Sequence, residues 1–335
     1  MANLRPCLFS IPVHRAFADA LADGLIKRFA GDDLGLARGV ILLPSNRARM
    51  AVQAAFVRAG GQGLLMPRLA VVGDSDLDES VGLALDGLDS GEALPPAIDA
   101  LQRRLMLAEL IEQNNPDGEE RIEGAAAFIL AEGLARVLDQ LHYEEIDHAR
   151  LADIEANLGD LANHWQLSWH RLRLLVEKWP AVLARTGLMD RADRRNQLLN
   201  RVASNWAVNP PARFVVAAGV TTAAPAITRL LRTIAEMDGG MVVIPGVDMT
   251  MSDEEWEALG PAPVPADHIG MRPLETHPQY HLKLLLGRMG AVRDDVQPWD
   301  GVSEFDGPAE RDPFLSLMFA PAAFTHRWQH EQNLT

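Results

Sequence analysis

The sequence predicts an α/β protein in which a mostly parallel sheet is covered by helices and interrupted by a large helical insertion. Short apolar runs, typical of buried strands, alternate with segments of helical periodicity near both ends of the chain. Between residues 95 and 208 only helical periodicity is found. The length of 335 residues is large for one compact domain, and the insertion accounts for the excess.

The first part of the chain contains two strand–helix units and a third predicted strand. Apolar runs at 7–11 and 39–44 predict the first two strands, and a run at 69–72 predicts the third. A helix follows the first strand, with apolar residues every four positions from Phe17, and Ser45 is placed to cap the next helix. Cys7 lies in the first apolar run, so we expect its thiol to be buried and unreactive.

The remaining elements define the predicted domain boundaries. Helices are predicted in the insertion at 96–113, 122–142, 160–186 and 190–206. Strands at 213–219 and 240–245 then flank a helix at 225–237. We therefore expect the first part of the α/β domain at 1–94, the insertion at 95–208, the second part of the domain at 209–300, and a tail or following domain at 301–335.

Composition narrows the class of protein. The 46 acidic residues outnumber the 31 basic ones, and the net charge of −15 excludes a uniformly basic surface for nucleic acid. The single cysteine forms no internal disulfide and cannot supply a cysteine-ligated metal cluster by itself. No stretch approaches the roughly 20 apolar residues of a membrane helix. We expect a cytoplasmic protein without a membrane partner.

The first strand–helix turn is where a phosphate-binding loop is expected, since ligands of open parallel sheets bind beyond the carboxyl ends of the strands. Here the turn comprises Ile11, Pro12, Val13, His14 and Arg15. It lacks the glycines, the lysine and the hydroxyl that hold phosphates and magnesium. We expect a degenerate nucleotide loop and no ATP hydrolysis. His14 and Arg15 either touch an anion at the helix start or, as we favour, have an ordinary surface role.

No other catalytic or metal-binding constellation is predicted. Thr221 and Thr222 follow the strand after the insertion, where a carboxylate would be needed to hold magnesium. His277 and His281 are four residues apart, but no third metal ligand is evident near them. We therefore predict no catalytic residue, no metal and no cofactor in this chain.

Positive charge is concentrated in two segments of the acidic chain. Residues 1–73 carry nine Lys/Arg and four Asp/Glu, and residues 171–201 carry eight and three, which gives each segment a net charge of +5. Within the first segment, Ser45, Asn46, Arg47 and Arg49 bring a hydroxyl, an amide and guanidinium groups to a helix start. This combination suits one backbone phosphate of DNA. The alternative, that the arginines lie on ordinary solvated helix faces, stays open.

Several segments together resemble AddB, the subunit that partners AddA in the AddAB helicase–nuclease of double-strand-break repair by homologous recombination. The segments are Val40-Ile-Leu-Leu-Pro-Ser-Asn-Arg47, Leu94-Pro-Pro-Ala-Ile98, Trp179-Pro-Ala-Val-Leu183, Arg194-Arg-Asn-Gln-Leu198, Val216-Ala-Ala-Gly219 and His277-Pro-Gln-Tyr-His-Leu-Lys283. The resemblance covers most of residues 5–300.

The resemblance implies a RecA-like fold of the P-loop NTPase and superfamily 1 helicase type, with the helical insertion and degenerate Walker motifs. In that family the helicase-like region of the B subunit contacts single-stranded DNA and helps to recognise a recombination hotspot, while the AddA-type partner drives movement with ATP. The family's nuclease and iron–sulfur cluster lie in a C-terminal domain that nothing here matches. The resemblance therefore implies that the chain is the N-terminal portion of a longer protein.

Nine residues are DNA-binding candidates on these grounds: Ser45, Asn46, Arg47, Arg49, Thr221, Thr222, His277, Gln279 and Tyr280. The first three match the helicase turn that touches the DNA backbone, the threonines occupy the decayed acidic motif, and the last three match a family motif. We expect a non-catalytic DNA-binding and scaffolding region that acts in a heterodimer with an AddA-type helicase–nuclease. The alternative is a stand-alone α/β enzyme that uses a nucleotide-linked substrate at the same sheet edge.

Overall fold

The computed structural model of the chain divides into two compact units. The first unit contains residues 1–89 and 200–335, and the second contains residues 90–199. The described residues are 6–29, 31, 34–61, 63–72, 94–115, 121–146, 163–260 and 274–329, with the side chains of 163–171 and 174 excepted. Residues 74–92, whose seven acids and absence of basic residues predict a solvated connection, lie outside the described part. The same holds for the side chains of Trp165 and Trp169, one helical turn apart, for which the sequence favours a place in the helix core, and for those of His164 and His170.

The first unit is built on a six-stranded sheet in which every pairing is parallel. Its strands are β1 (Leu8–Ile11), β2 (Gly39–Leu43), β3 (Arg68–Val71), β4 (Phe214–Ala218), β5 (Gly240–Pro245) and β6 (Val296–Pro298). Their order across the sheet is β3-β2-β4-β5-β1-β6. The predicted α/β class with a parallel sheet is thus confirmed.

Helices cover both faces of this sheet because its strands are apolar at successive positions. The helices of the first unit include α1 (Phe17–Phe29) and α2 (Asn46–Ala59), and further along the chain α7 (Pro225–Glu236), α8 (Asp253–Ala258), α9 (Tyr280–Met289) and α10 (Arg311–Met318). Ile41, Leu43 and Val216 belong to a core cluster with residues of α1 and α2. Alternate residues such as Val215 and Ala217 are also fully buried, and α7 contacts β4 and β5.

The second unit is helical. It contains α3 (Ala100–Gln113), α4 (Gly124–Tyr143), α5 (Asn163–Thr186) and most of α6 (Arg191–Trp206), whose last turns belong to the first unit. Its core gathers Leu107, Leu134, Val176 and Trp179. A short parallel bridge joins Ala97 to Met189, so the beginning and the end of the unit lie side by side.

Three local predictions need correction. Cys7 precedes β1 and is exposed, so its thiol is not buried as we expected. The first insertion helix begins at Ala100 rather than at residue 96, because the Asp99 side chain accepts hydrogen bonds from Leu101 and Gln102 N–H groups and caps the helix there. The apolar pattern also missed β6, a three-residue strand. Among the described residues, no helix is long and apolar enough to cross a membrane.

Candidate functional site

The turn between β2 and α2 presents polar groups at the carboxyl edge of the sheet. Ser45 caps α2, because its Oγ accepts a hydrogen bond from Ala48 N–H at 3.2 Å. Asn46 and Arg47 are exposed at the first turn of the helix. The Nε of Arg49 donates to Oδ1 of Asn46 at 3.2 Å, so Asn46 holds that guanidinium close to the helix start.

The loop after β4 lies beside this turn, since β2 and β4 are parallel neighbours and both end at the same edge. Thr221 and Thr222 are exposed there. Gly219, with a φ of +72°, lets the chain leave the strand. A Cβ on this glycine would lie 3.8 Å from Cδ of Pro44, which shows how closely the two loops approach. We call Ser45, Asn46, Arg47, Arg49, Thr221 and Thr222 the open edge.

The electrostatics of the open edge favour an anion. The amino ends of α2 and α7 both point to this edge, and helix amino ends carry partial positive charge. The side chain of Arg47 makes no hydrogen bond or ion pair with the described part of the chain. Arg28 and Arg58, by contrast, pair with Asp300 and Asp19. Arg47 is therefore positioned to receive an external anion.

The turn between β1 and α1 differs, because an internal carboxylate fills it. Oδ1 of Asp306 accepts a hydrogen bond from Ala16 N–H at 2.9 Å, at the start of α1. Its Oδ2 accepts from Ser303 N–H at 2.9 Å and pairs with Nε of Arg15 at 3.2 Å. Asp306 thus makes the contacts that an anionic ligand would make at this helix start.

Segment 299–312, which we call the strap, fixes this carboxylate in place. The strap begins at Trp299, whose ring N–H donates to Ala20 O at 2.8 Å. Gly301 packs so closely on α1 that an added Cβ would overlap the Ala20 carbonyl. Near the other end, Gly307 N–H donates to His14 O at 2.6 Å, and Asp312 accepts a hydrogen bond from His14 N–H at 3.2 Å.

The side chains of His14 and Arg15 are held in place by contacts with the strap. Arg15 donates to Trp299 O at 3.0 Å and to Gly301 O, and His14 Nδ1 lies 2.9 Å from Oδ2 of Asp312. Burial tends to raise the pKa of Asp306, but hydrogen bonds from Ser303, Ala16 and Arg15 outweigh it and hold the pKa below its ordinary value. The predicted surface role of the two residues is wrong, because both bind the strap.

The motif at 277–280 stabilises the loop after β5. Both ends of the Gln279 side-chain amide are hydrogen bonded to this loop. Its Nε2 donates to Gly246 O at 2.9 Å, and its Oε1 accepts from Asp248 N–H at 3.0 Å. His277 accepts from Gln279 N–H and is bonded through Nε2 to Phe319 O at 2.8 Å. Burial lowers the pKa of His277, although the bond to Phe319 and the nearby carboxylates oppose it. His277 is therefore held as a neutral, internal group.

The nine DNA-binding candidates consequently separate into two places. The open edge brings six of them together at β2 and β4. The other three lie by the loop after β5, where His277 and Tyr280 are buried and Gln279 is hydrogen bonded within the fold. Their position gives no support to DNA contact, and that role stays a prediction.

The strap was missed by sequence reasoning. Asp306 and Asp312 lie in a proline-rich stretch without clear periodicity, and no local pattern links them to the turn at residues 11–15. The only available indication was chemical, since a helix start without a phosphate loop still needs acceptors for its N–H groups.

Metal ligands do not gather in the described part of the chain, where no group of three or more His, Cys, Asp or Glu residues is placed to hold an ion. Comparison of the chain with protein-family models and with curated protein sequences finds no match. The fold and the open edge are therefore the basis for a functional proposal.

Proposed function

We propose that the chain is a non-catalytic, helicase-like region that binds single-stranded DNA and acts as a scaffold in an AddB-type subunit. Its fold would be RecA-like, with the helical unit inserted between two parts of one domain. The proposed partner is an AddA-type helicase–nuclease, the process is double-strand-break repair by homologous recombination, and the compartment is the cytoplasm.

The open edge carries this proposal. It combines an exposed arginine, a second arginine held by Asn46, two exposed threonines and the start of α2 on neighbouring strands. Backbone phosphates are bound by such sets of guanidinium, hydroxyl and helix N–H groups. Ser45, Asn46, Arg47 and Arg49 belong to the cap and the first turns of α2, which limits how far they move when a phosphate approaches, and the two threonines lie in the adjacent loop after β4.

Two further features support the proposal. Asp306 takes the anion position at α1, which disfavours a nucleotide phosphate there because the carboxylate would repel it. The parallel bridge between Ala97 and Met189 joins the ends of the helical unit, and an element inserted into a domain needs its ends close together. The first feature suits a helicase-like domain that no longer binds a nucleotide, and the second suits a helical unit inserted into that domain.

Fluorescence anisotropy with a labelled oligothymidylate tests the DNA-binding role. We expect Arg47→Ala to weaken binding of the full chain by about 2- to 10-fold, the effect of losing one hydrogen-bonded contact. Arg68→Ala is the matched control, because Arg68 is exposed at the amino end of β3, away from the open edge. Equal losses in the two variants would mean that general charge, rather than the open edge, binds the DNA.

The stand-alone enzyme remains the competing hypothesis, and calorimetry with a panel of nucleotides separates the two. We expect no heat of binding from ATP, ADP or a nucleotide sugar, since the turn at β1 is filled by the strap. Tight binding of any of these to the isolated chain would favour the enzyme. Turnover of ATP by the chain alone would also exclude the non-catalytic proposal.

A further inference from the structure

The second unit buries two arginine side chains to nearly the same degree, but their partners differ. Arg103 on α3 is 8% exposed and pairs with Asp139 at 2.8 Å and with Asp190 at 2.7 Å. Arg195 on α6 is 9% exposed, yet it forms no ion pair or hydrogen bond with any side chain that the structure describes. A buried cation needs a compensating anion, because the loss of its hydration is costly. Arg195 is therefore a buried positive charge for which the described part of the chain supplies no counter-ion.

The contact that Arg195 does make is with an aromatic ring. Its guanidinium carbon lies 5.2 Å from the centre of the ring of Tyr143, the last residue of α4. Such a contact attracts the cation to the ring face but does not neutralise its charge. Burial lowers the pKa of Arg195, with Tyr143 opposing this effect. The direction agrees with a cation that has no carboxylate beside it.

Hydrogen bonds fix the surroundings of this guanidinium. Asn196 Nδ2 donates to His142 O at 2.5 Å, which ties the end of α4 to α6 next to Arg195. The Nε of Arg195 is enclosed and has no hydrogen-bond partner, whereas its two Nη atoms keep access to solvent. A ligand therefore reaches the side chain through the Nη atoms, and a guanidinium already held in place loses little entropy when it binds.

The accessible tip of Arg195 suits one small anion. Two neighbouring N–H groups of a guanidinium match the two oxygens of a carboxylate in a bidentate pair. No second lysine or arginine among the described residues interacts electrostatically with Arg195. Nucleic acids gain affinity from several phosphate contacts at once. A single carboxylate consequently fits this site better than a DNA strand.

An apolar groove lies at the same end of α4. Val137 and Ile146 are 38% and 37% exposed, and with Leu141 they line a groove of about 250 Å³. Arg136 and Glu144, of opposite charge, lie at its margin. Protein interfaces combine apolar contacts of this kind with arginine anchors.

We propose that Arg195 anchors a protein-docking surface on the second unit. One aspartate or glutamate side chain of a partner protein pairs with the Nη groups, and a neighbouring apolar side chain of the partner packs in the groove at Val137 and Ile146. The partner thereby supplies the counter-ion that the chain lacks. This role goes beyond DNA binding and does not depend on it.

NMR of the full chain with isotope-labelled arginine tests the carboxylate site. The guanidinium signals of Arg195, assigned with Arg195→Met, should shift saturably with sodium propionate and stay in place with propionamide, its neutral analogue. The signals of Arg185, an exposed arginine of α5, are the internal control and should move less. Equal shifts of the two arginines, or equal effects of propionate and propionamide, would overturn the proposal.

Selection of a phage-displayed library of random dodecapeptides on the full chain tests the protein-docking role. Peptides that propionate displaces should carry an aspartate or glutamate near an apolar residue. Arg195→Met should weaken them by about 10-fold or more, as expected for a buried arginine anchor. Failure to select any peptide that depends on Arg195 would overturn the docking role, and propionate binding would then indicate a small carboxylate as the ligand.

Two further measurements separate docking from a structural or DNA-binding role. Arg103→Met should clearly lower the melting temperature, because it leaves two carboxylates unpaired, whereas Arg195→Met should lower it little. Equal falls would show that Arg195 has an internal partner and would overturn the proposal. Arg195→Met should also keep the wild-type affinity for oligothymidylate. A loss as large as that of Arg47→Ala would assign Arg195 to DNA instead.

Discussion

Asp306 shows how a single side chain can replace a ligand. Its carboxylate accepts hydrogen bonds from Ala16 and Ser303 N–H groups and pairs with Arg15 at the start of α1. Of these donors, Ala16 N–H and the Arg15 guanidinium are the ones that an external anion would use at this helix start. The residue therefore stabilises the turn at β1 and at the same time disfavours an external phosphate there.

Asp306→Ala should destabilise the chain. Because it leaves the Ala16 and Ser303 N–H groups without their acceptor and removes one partner of Arg15, we expect the free energy of unfolding to fall by about 1–3 kcal/mol. Glu304→Ala, two residues away and exposed, is the matched control and should change little. Chemical denaturation of both variants measures the difference, and similar losses would argue against a special role for Asp306.

The contribution of Asp306 should depend on pH. Its folded-state pKa lies below the ordinary value because hydrogen bonds outweigh the effect of burial. Its stabilising effect is therefore complete above the unfolded-state pKa of about 4 and is lost as the pH falls towards the folded-state pKa. The stability difference between the wild-type chain and Asp306→Asn should shrink between about pH 5 and about pH 3. A difference that stays constant over this range would contradict the assignment.

The sequence predicts which residues could bind a ligand at the open edge, but it does not predict whether each candidate side chain is exposed or used inside the fold. Ser45 was predicted as a cap from its place before a helix, and the structure confirms it. His277 and Gln279 look equally suited to an external ligand, yet both are used inside the fold. Burial depends on elements distant in sequence, so no local pattern distinguishes the two cases.

At the scale of elements, periodicity predicted best where a strand or helix is long. The helix predicted at 225–237 is found at Pro225–Glu236, with Pro225 at its first turn. β6 was missed because three residues ending in a proline carry no strand pattern. That strand exists through its pairing with β1, where Leu8 is opposite Val296.

The helices of the second unit are joined by a buried carboxylate. Asp190 is 1% exposed, lies 2.7 Å from Nε of Arg103, and accepts from the ring N–H of Trp179 at 2.7 Å. His142 is also within 3.2 Å. Burial tends to raise the pKa of Asp190, but His142, Arg103 and Trp179 outweigh it and lower the pKa. The group is therefore ionised and structural.

Asp190→Ala should cost about 3–5 kcal/mol of unfolding free energy, because it leaves the charge of Arg103 buried with less compensation. Asp139→Ala is the matched control, since Asp139 also pairs with Arg103 but is one-third exposed. We expect it to cost less than about 1 kcal/mol. Urea denaturation compares the two, and equal losses would show that Arg103 does not depend on Asp190.

At the scale of the molecule, the strap connects residues that are far apart in sequence. The Asp306 carboxylate accepts a hydrogen bond from Ala16 N–H, 290 positions away in sequence. The ring N–H of Trp299 donates a hydrogen bond to Ala20 O, 279 positions away. The sheet brings these residues together, because β6, which leads into the strap, lies beside β1, which leads into α1. The sequence therefore predicts the parallel sheet but not the filled turn, which is the feature that disfavours a nucleotide.

The salt dependence of binding to single-stranded DNA tests the central claim most directly. The affinity of the wild-type chain for oligothymidylate should fall as salt rises, and the log–log slope should be shallower by about 0.7 in Arg47→Ala, the value for one lost phosphate contact. Arg68→Ala should keep the wild-type slope. Identical slopes for the wild-type chain and Arg47→Ala, or no binding at any salt concentration, would contradict a DNA-binding open edge.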